Sequence, residues 1–346
     1  MQEINLLAFF IGVATTYFII NAINLLQNKS RTRLQTVLGW ILVLWTLLNL
    51  KDIFAIIPRP LTTKEHYYFV LFDGWVAFTY AIMIYEVTTP GWTTWRRVVK
   101  TALPFLLFTI VFFVWPTSLI INLYGTFLVV YTLAIIVIAV IKARRYNRYI
   151  RNNYSNIDEI DISWVNKVLL MTLLSQVTWV ISTLYPGLIT DTVYYFFTLL
   201  MWQKVISYSR RMRPVPIEKM SQHPDNVETT RSFAFAGALE DIVETRELYM
   251  NQELTLADLA KAVNTNRTYL SYYFSNVKKT TFYDYINQLR ITKKSLPMMR
   301  EHPEYTLDYV AAMSGFKSIS TFRRAFIKLT GTSPSQYIHQ NKNVSC

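Results

Sequence analysis

Apolar segments fill the first part of the chain. Seven mostly apolar stretches follow one another with short polar connections, and each is close to the about 20 residues that a helix needs to cross a bilayer. A soluble protein cannot cover so many helices that are apolar on most faces, so the pattern predicts a bundle of about seven transmembrane helices. The stretches are residues 4–26, 34–56, 67–87, 98–115, 118–141, 162–185 and 192–208.

Basic residues in the connections predict how this bundle is oriented. They gather in the first, third and fifth connections and after the seventh stretch, whereas the other connections contain only Arg59 and Lys64. Lysine and arginine stay on the cytoplasmic side, so we predict an outer N-terminus and a cytoplasmic C-terminal part in a multi-pass protein of the inner (cytoplasmic) membrane. The gathered residues are Lys29, Arg31, Arg33, Arg96, Arg97, Lys100, Lys142, Arg144, Arg145, Arg148, Arg151, Arg210, Arg211 and Arg213.

Three ionisable residues interrupt the apolar stretches. Asp73 lies in FVLFDGWVAF, and Lys51 and Asp52 lie near the outer end of the second stretch. Because an ionised group in hydrocarbon costs several kcal/mol, each is expected to face the bundle interior and to have a partner. Asp73 is the candidate for ligand sensing. A purely structural contact between helices for Asp73, and an interfacial position for Lys51 and Asp52, are the alternatives.

The pattern changes after the seventh stretch. Residues 211–232 are polar and contain Pro214 and Pro216, which predicts a linker that ends the last membrane helix. From residue 233 onward the helical periodicity returns in an amphipathic and more highly charged form. We therefore predict a membrane domain at 1–210, a linker at 211–232 and a soluble all-α domain at 233–346.

An internal repeat organises this soluble domain. LTLADLAKAVNTNRTYLSYYF, which starts at Leu254, parallels YTLDYVAAMSGFKSISTFRRAF, which starts at Tyr305. Each copy reads as a helix, a tight turn and a second helix, over about 254–277 and 305–330. Threonine is a good N-cap for the first helices, and Asn264 and Gly315 stand where the turn needs a left-handed residue. The capping threonines are Thr255 and Thr306.

The second helix of each copy has a core side and an outer side. Helical spacing assigns Leu270, Phe274 and Val277 to the core in the first copy, and Phe322, Ala325, Phe326 and Leu329 in the second. The outer sides carry groups suited to a DNA groove, since arginine can pair bidentately with guanine. The candidate DNA-binding residues are Arg267, Thr268, Ser271, Tyr272, Ser318, Ile319, Ser320, Arg323, Arg324 and Lys328.

These motifs resemble those of the AraC/XylS transcription regulators. The resemblance rests on the first repeat copy, on FYDYINQLRI, and on GFKSISTFRRAFIKLTGTSPSQYI, and it covers residues 240–340. It implies one domain of about seven helices in which a long linker helix joins two helix-turn-helix units. It also implies that the outward positions of both second helices read successive faces of the major groove.

The chain departs from that family pattern at three positions. Asn264 replaces the usual turn glycine, and Pro297 is expected to end the linker helix early. Ile319 is apolar where a polar reader is common, and a thymine methyl group would suit it. The DNA sequence that the family reads therefore does not transfer to this chain.

The remaining chemistry is sparse. The net charge of +13 suits an anionic partner such as nucleic acid or acidic lipid, and Cys346 is the one cysteine. No metal-protease, serine-hydrolase or nucleotide-binding motif occurs, so we predict no catalytic residue, no metal, no cofactor and no enzyme.

Together these patterns predict a membrane-embedded, signal-sensing regulator of transcription. The expected partners are double-stranded promoter DNA, the lipid bilayer, an unidentified small-molecule or membrane signal, a second copy of the chain, and RNA polymerase if the protein activates transcription. Two alternatives stay open. The bundle could be a passive anchor and dimeriser, or the chain could be a transporter or receptor whose tail binds protein.

Overall fold

The computed structural model describes residues 2–52, 62–185, 187–212 and 233–344. Across these ranges the fold is all-α, as predicted, and without a β-strand; Tyr154 and Thr255 form an isolated antiparallel bridge. Arg59, Cys346 and the predicted linker from Arg213 to Ser232, with Pro214 and Pro216, lie outside the described residues.

The chain forms two compact units. One comprises Met1–Tyr146 with Ile162–Ile217, and the other comprises Asn147–Asp161 with Glu218–Cys346. The second unit thus includes a short segment that separates two predicted membrane spans in the sequence. The predicted boundaries at 1–210, 211–232 and 233–346 stay a prediction.

Long helices build the first unit. They leave many apolar side chains uncovered: in α5, for example, Phe105 and Phe112 are buried, while Leu107 and Val114 are 62% and 59% exposed. An exposed apolar surface of this kind suits lipid rather than water. The helices are α1 (Gln2–Gln27), α2 (Arg33–Leu50), α3 (Thr63–Asp73), α4 (Trp75–Thr88), α5 (Trp95–Val114), α6 (Ser118–Asn153), whose residues from Asn147 onward belong to the second unit, α7 (Val165–Leu184) and α8 (Leu188–Arg211).

Six stretches of helix among the described residues are long and apolar enough to cross a membrane. They correspond to the first six predicted spans, with α3 and α4 together forming the third. The predicted seventh span at 192–208 lies within α8 but is not one of the six. Tyrosine, threonine and serine dilute the apolar character of α8, and its buried side includes Tyr195, Thr198 and Ser209. A seven-span topology stays a prediction.

The third stretch is broken at Gly74, next to Asp73. A Cβ atom at Gly74 would lie 2.1 Å from the Tyr124 hydroxyl oxygen, so glycine allows this close approach. The hydroxyl donates a hydrogen bond of 3.3 Å to the carbonyl oxygen of Leu71. The Tyr124 side chain therefore occupies the space beside Gly74, and its hydrogen bond stabilises the break between α3 and α4.

Eight α-helices, two of which are consecutive pieces of one linker helix, form most of the described part of the second unit, close to the about seven that the family resemblance implied. The two helix-turn-helix units are α10 with α11 and α14 with α15. Consecutive pieces α12 and α13 form the linker helix between them. The bounds are α9 (Ala236–Thr245), α10 (Leu256–Ala262), α11 (Arg267–Tyr272), α12 (Phe282–Leu289), α13 (Leu296–Glu301), α14 (Leu307–Met313), α15 (Ile319–Thr330) and α16 (Pro334–Val344).

The caps and turns of both units follow the local rules. Thr255 and Thr306 are N-caps whose side chains accept backbone N–H bonds from Asp258 and Tyr309. Asn264 and Gly315 have left-handed backbones, with φ of 54° and 82°. These local predictions are confirmed.

The linker helix does not end early at Pro297, and that expectation is wrong. The chain widens into a π-helical turn at Arg290–Ser295 and then continues as α13 to Glu301. Proline removes one N–H donor and crowds the preceding turn, and a wider turn relieves that crowding. The Ser295 hydroxyl donates to the Arg290 carbonyl oxygen at 3.1 Å within this turn.

Each helix-turn-helix unit has its own hydrophobic core. Leu270 and Phe274 are buried in the first core, and Phe322 and Phe326 are buried in the second, as predicted. Ala325 packs against the second core while partly buried. Two core assignments are wrong, because Val277 is 51% exposed and Leu329 is 40% exposed. Both residues lie near helix ends, where no neighbouring described helix covers the end of the apolar face.

A buried arginine joins the two cores. Arg290 is 1% exposed and follows Leu289 of the first core and precedes Ile291 of the second. Its Nε donates to the Tyr249 carbonyl oxygen at 2.6 Å, and its Nη2 donates to the Asn251 carbonyl oxygen at 2.8 Å. Burial lowers the pKa of the guanidinium to about 10, so it remains charged at neutral pH.

Three further hydrogen bonds satisfy the remaining N–H donors of the Arg290 guanidinium. Nη1 donates to the Ser155 carbonyl oxygen at 3.2 Å and to the Asn287 Oδ1 at 3.0 Å, and Nη2 donates to the Ser155 Oγ at 3.3 Å. The carbon of the guanidinium lies 5.5 Å from the centre of the Phe316 ring. All five N–H donors of Arg290 thus have acceptors.

We expect Gly315→Ala to destabilise the second unit more than Gly331→Ala. Both glycines are left-handed, with φ of 82° and 75°, but a Cβ at Gly315 would lie 2.8 Å from the Met250 carbonyl oxygen, whereas the space around Gly331 is open. Gly331→Ala should lower the free energy of unfolding by about 1 kcal/mol and Gly315→Ala by roughly 3 kcal/mol. Native-state hydrogen exchange of the full chain in lipid nanodiscs measures both, and equal losses would contradict the close contact.

Arg290→Lys should destabilise the second unit by about 3 kcal/mol, because an ammonium cannot reach all the buried acceptors that the planar guanidinium serves. The exposed Arg246 provides the matched control, and Arg246→Lys should change the free energy of unfolding by less than about 0.5 kcal/mol. The same hydrogen-exchange measurement compares them. A negligible effect of Arg290→Lys would show that the five bonds contribute little.

Candidate nucleic-acid interface

The helix α15 presents the most complete set of candidate DNA contacts. Its N-cap is Ser318, whose hydroxyl accepts the Thr321 N–H at 3.2 Å and so fixes the start of the helix. Ser320 and Arg323 are exposed on the outer side. Arg323 makes no hydrogen bond or ion pair with another described residue, so its guanidinium is available for an external acceptor.

Other candidates on α15 already have partners in the protein. The Arg324 Nη2 lies 3.3 Å from Asp158 Oδ1, and the Lys328 Nζ lies 2.8 Å from Asp284 Oδ1. Ile319 is partly buried and packs against the second core. The structure thus separates the outward residues of this helix into side chains without a partner among the described residues, Ser320 and Arg323, and side chains that contact other residues of the second unit.

The helix α11 presents a less exposed set. Thr268, Ser271 and Tyr272 are half-buried, and the Tyr272 ring stacks on Phe233 with 6.2 Å between ring centres. The Arg267 Nε donates to Asn153 Oδ1 at 2.8 Å, and its Nη2 donates to the Tyr149 hydroxyl at 3.2 Å. Arg267 is therefore held by the segment at 147–161 rather than pointing freely outward.

The turn before α15 adds a further cation. The Lys317 Nζ lies 3.0 Å from Glu253 Oε1 and 3.5 Å from Glu159 Oε1. Its hydrogen bond to Glu253 raises the pKa of Lys317, so the ammonium remains charged at neutral pH. Hydroxyl, guanidinium and ammonium donors at the start of a helix can together bind a phosphate group.

Sequence reasoning missed the acceptors at this surface. Tyr149, Asn153 and Asp158 belong to a connection that we interpreted only as a basic cytoplasmic loop. The one available signal was the acidic run IDEID at 157–161, which differs from the arginines that precede it. Nothing in the sequence indicated which surface this run contacts.

The first unit brings the three ionisable span residues together. The Lys51 Nζ lies 2.7 Å from Asp73 Oδ1 and also contacts Asp52. The Trp179 Nε1 donates to Asp73 Oδ2 at 3.3 Å, and the Tyr195 hydroxyl donates to Asp52 Oδ2 at 3.0 Å. The expectation that each residue has a partner is confirmed.

A cavity of about 380 Å³ adjoins this cluster. Its walls combine carboxylates with aromatic rings, including Asp52, Asp73, Asp191, Trp179 and Tyr194. A cavity of this size and mixed lining is suited to a small molecule. Within the described residues no group of three or more His, Cys, Asp and Glu side chains could hold a metal ion.

Comparison with known proteins identifies the repeat region. A family model described as "Helix-turn-helix domain" matches residues 259–340. The Melibiose operon regulatory protein of Escherichia coli (strain K12) is 31% identical over 125 residues, which are 36% of this chain and 39% of that protein. An "Uncharacterized HTH-type transcriptional regulator" of Staphylococcus aureus (strain COL) is 25% identical over 114 residues.

The similarity is confined to part of each protein. The match to the staphylococcal regulator covers 33% of this chain and 15% of that regulator, so the chain spans well under half of the relatives that it matches. No solved structure matches the chain. The C-terminal part of the chain carries an AraC-type helix-turn-helix domain, the type found in DNA-binding regulators of transcription.

Proposed function

We propose that the chain is a membrane-embedded transcription regulator whose helix-turn-helix domain binds a specific promoter sequence. The pairing of two capped helix-turn-helix units on one linker helix carries this proposal, since such units place their second helices in successive major grooves. The similarity to a regulator of the melibiose operon supports it. In this role Ser320 and Arg323 read base edges directly, because both are exposed.

The other candidate residues have more limited parts in this proposal. Thr268 and Ser271 are only half-buried and can reach a groove edge, whereas Tyr272 and Ile319 are partly occupied by packing. The remaining candidates are positively charged or hydroxyl-bearing donors that suit phosphate oxygens. They are Arg267, Ser318, Arg324 and Lys328.

Arg323→Ala should weaken binding to the preferred promoter site by about tenfold and relax the preference for that site over random DNA, because a good arginine–guanine pair is worth about 1–3 kcal/mol. Genome-wide mapping of bound DNA identifies the site, and titration of the full chain in lipid nanodiscs measures its affinity. The matched control, Arg246→Ala, removes the same charge from an exposed position on α9's C-cap. Equal losses in both variants would mean that Arg323 contributes only general charge.

Membrane embedding is the second part of the proposal. Six apolar helices and the exposed apolar surface of α5 support it. With α8 as a seventh span and the basic residues on the inner side, the DNA-binding domain lies in the cytoplasm. Dimerisation and contact with RNA polymerase fit a promoter-binding regulator but rest on the family resemblance alone.

The cavity in the first unit is the proposed input site. Lys51 neutralises part of the charge of Asp52 and Asp73, and the third carboxylate, Asp191, is bonded to the Ser182 hydroxyl. The lining therefore carries an excess of carboxylates over cations beside aromatic rings. A small cationic molecule would suit this chemistry.

Asp73→Asn should abolish the change in promoter occupancy that growth conditions produce in the wild type, because it removes the charge that faces both Lys51 and the cavity. Promoter crosslinking in cells measures occupancy. Glu65→Gln is the matched control, since it lies on the same helix outside the cavity and keeps an oxygen for its capping bond to Thr62.

Two results would favour the alternative functions. If helices of an unrelated dimeric membrane anchor replaced residues 1–146 and 162–212, with residues 147–161 kept between them, and regulation did not change, the bundle would be a passive anchor. If Arg323→Ala left every function of the chain intact, a transporter or receptor with a protein-binding tail would be the better explanation.

A further inference from the structure

Residues 147–161, here called the docked segment, are part of the second unit. The Ser155 N–H donates to the Leu254 carbonyl oxygen at 3.1 Å, and Tyr154 pairs with Thr255 in the isolated bridge. Ser155 is fully buried and accepts two of the bonds from Arg290. Backbone and buried side-chain bonds thus hold the docked segment against the helix-turn-helix domain.

The carboxylate of the docked segment binds the start of α15. The Ser318 Oγ donates to Asp158 Oδ2 at 2.6 Å, and the Thr321 hydroxyl donates to Asp158 Oδ1. The Arg324 Nη2 donates to the same Oδ1 at 3.3 Å and to the Thr321 Oγ1 at 3.0 Å. One anion therefore receives two hydroxyl groups and a guanidinium at the N-terminus of this 12-residue helix.

The same segment binds the start of α11. The Arg267 side chain is hydrogen-bonded to Asn153 and Tyr149, and its guanidinium carbon lies 5.6 Å from the centre of the Tyr149 ring. Asn153 is 9% exposed, so this bond lies in a largely water-excluded place. The docked segment thus contacts both helices that are proposed to read DNA.

The hydroxyl and guanidinium donors that bind the docked segment are also the groups that would bind a DNA phosphate. Donors at a helix N-terminus favour an anion, and a phosphate oxygen would take the position that the Asp158 carboxylate holds. Two anions within about 4 Å of one another repel, so the carboxylate and a phosphate cannot share these donors. The Glu159 carboxylate beside Lys317 extends the acidic surface of the segment.

We infer that the docked segment is an intramolecular competitor of DNA, in which Asp158 stands in for a backbone phosphate at α15 while Tyr149 and Asn153 hold Arg267 at α11. This inference rests on the proposed DNA-binding function. DNA binds the second unit when the Asp158 carboxylate leaves α15 while Ser155 stays buried beside Arg290, and the segment is continuous in sequence with α6 and α7. A change in those helices is therefore transmitted to the DNA-binding surface through the chain itself.

The test uses the full chain in lipid nanodiscs with Cys346→Ser as background. Asp158→Cys with Ser318→Cys is joined by a reducible bifunctional thiol reagent, which fixes the docked segment in place. Crosslinking should weaken binding to the mapped promoter site by at least about tenfold relative to the reduced form of the same variant, and reduction should restore it. The control pair, Glu244→Cys with Lys293→Cys, joins two partly exposed residues that lie outside the segment and are not candidate DNA contacts, and it should change the affinity little.

Undiminished affinity in the crosslinked Asp158→Cys, Ser318→Cys chain would overturn the inference while the proposed function stands. Absence of sequence-specific binding in the wild type and in the reduced chain would overturn the proposed function, and the inference with it.

A second measurement distinguishes competition by the Asp158 carboxylate from a general effect of removing negative charge. Asp158→Ala should raise the affinity of the full chain for the promoter site several-fold, whereas Asp161→Ala removes an equal charge from the same segment and should change it little. Equal affinities of the two variants would overturn the assignment of Asp158 as the competing anion.

Discussion

The second unit depends on the placement of one guanidinium at the seam between two small cores. Leu289 and Ile291 pack on opposite sides of that seam, which leaves Arg290 between them with no water to bind. Its acceptors include the backbone carbonyl groups of Tyr249, in a single 3-10 turn, and of Asn251, just after that turn. A buried cation with so many fixed acceptors tolerates little movement, so it holds the two hydrophobic cores, and with them α11 and α15, at a defined spacing.

The same bonds connect this spacing to the docked segment. Ser155 supplies acceptors to the guanidinium, and three residues later Asp158 supplies acceptors to α15. Ser155, which bonds to the buried Arg290, and Asp158, which covers the start of α15, thus belong to the same short segment. Under the competition inferred above, DNA binding at α15 is linked to the position of Asp158, and a modest free-energy difference between two states is enough to shift such an equilibrium.

Local features of this fold could be predicted from the sequence, and features that depend on distant segments could not. Threonine caps and left-handed turn residues obey short-range rules, so both helix-turn-helix units were recognisable. The apolar stripe that includes Val277 continues past the helices that pack against it. The helical periodicity of the sequence does not reveal where that packing ends. The π-helical turn before Pro297 requires a different pattern of backbone hydrogen bonds. The presence of a proline does not by itself predict that pattern. The contacts of Asp158 join positions far apart in the chain, and their residue types have no special signature.

The participation of Ser155 in the interior of the helix-turn-helix domain has a consequence for how the gene can be divided. A cut at residue 233 would yield a polypeptide that matches the family model in full yet lacks a structural part of its own domain. Two of the five acceptors of Arg290 would be missing from it. The evolutionary module and the folding module therefore have different boundaries. A recombination event that joined this helix-turn-helix domain to a different membrane domain would have to transfer two separate pieces of coding sequence.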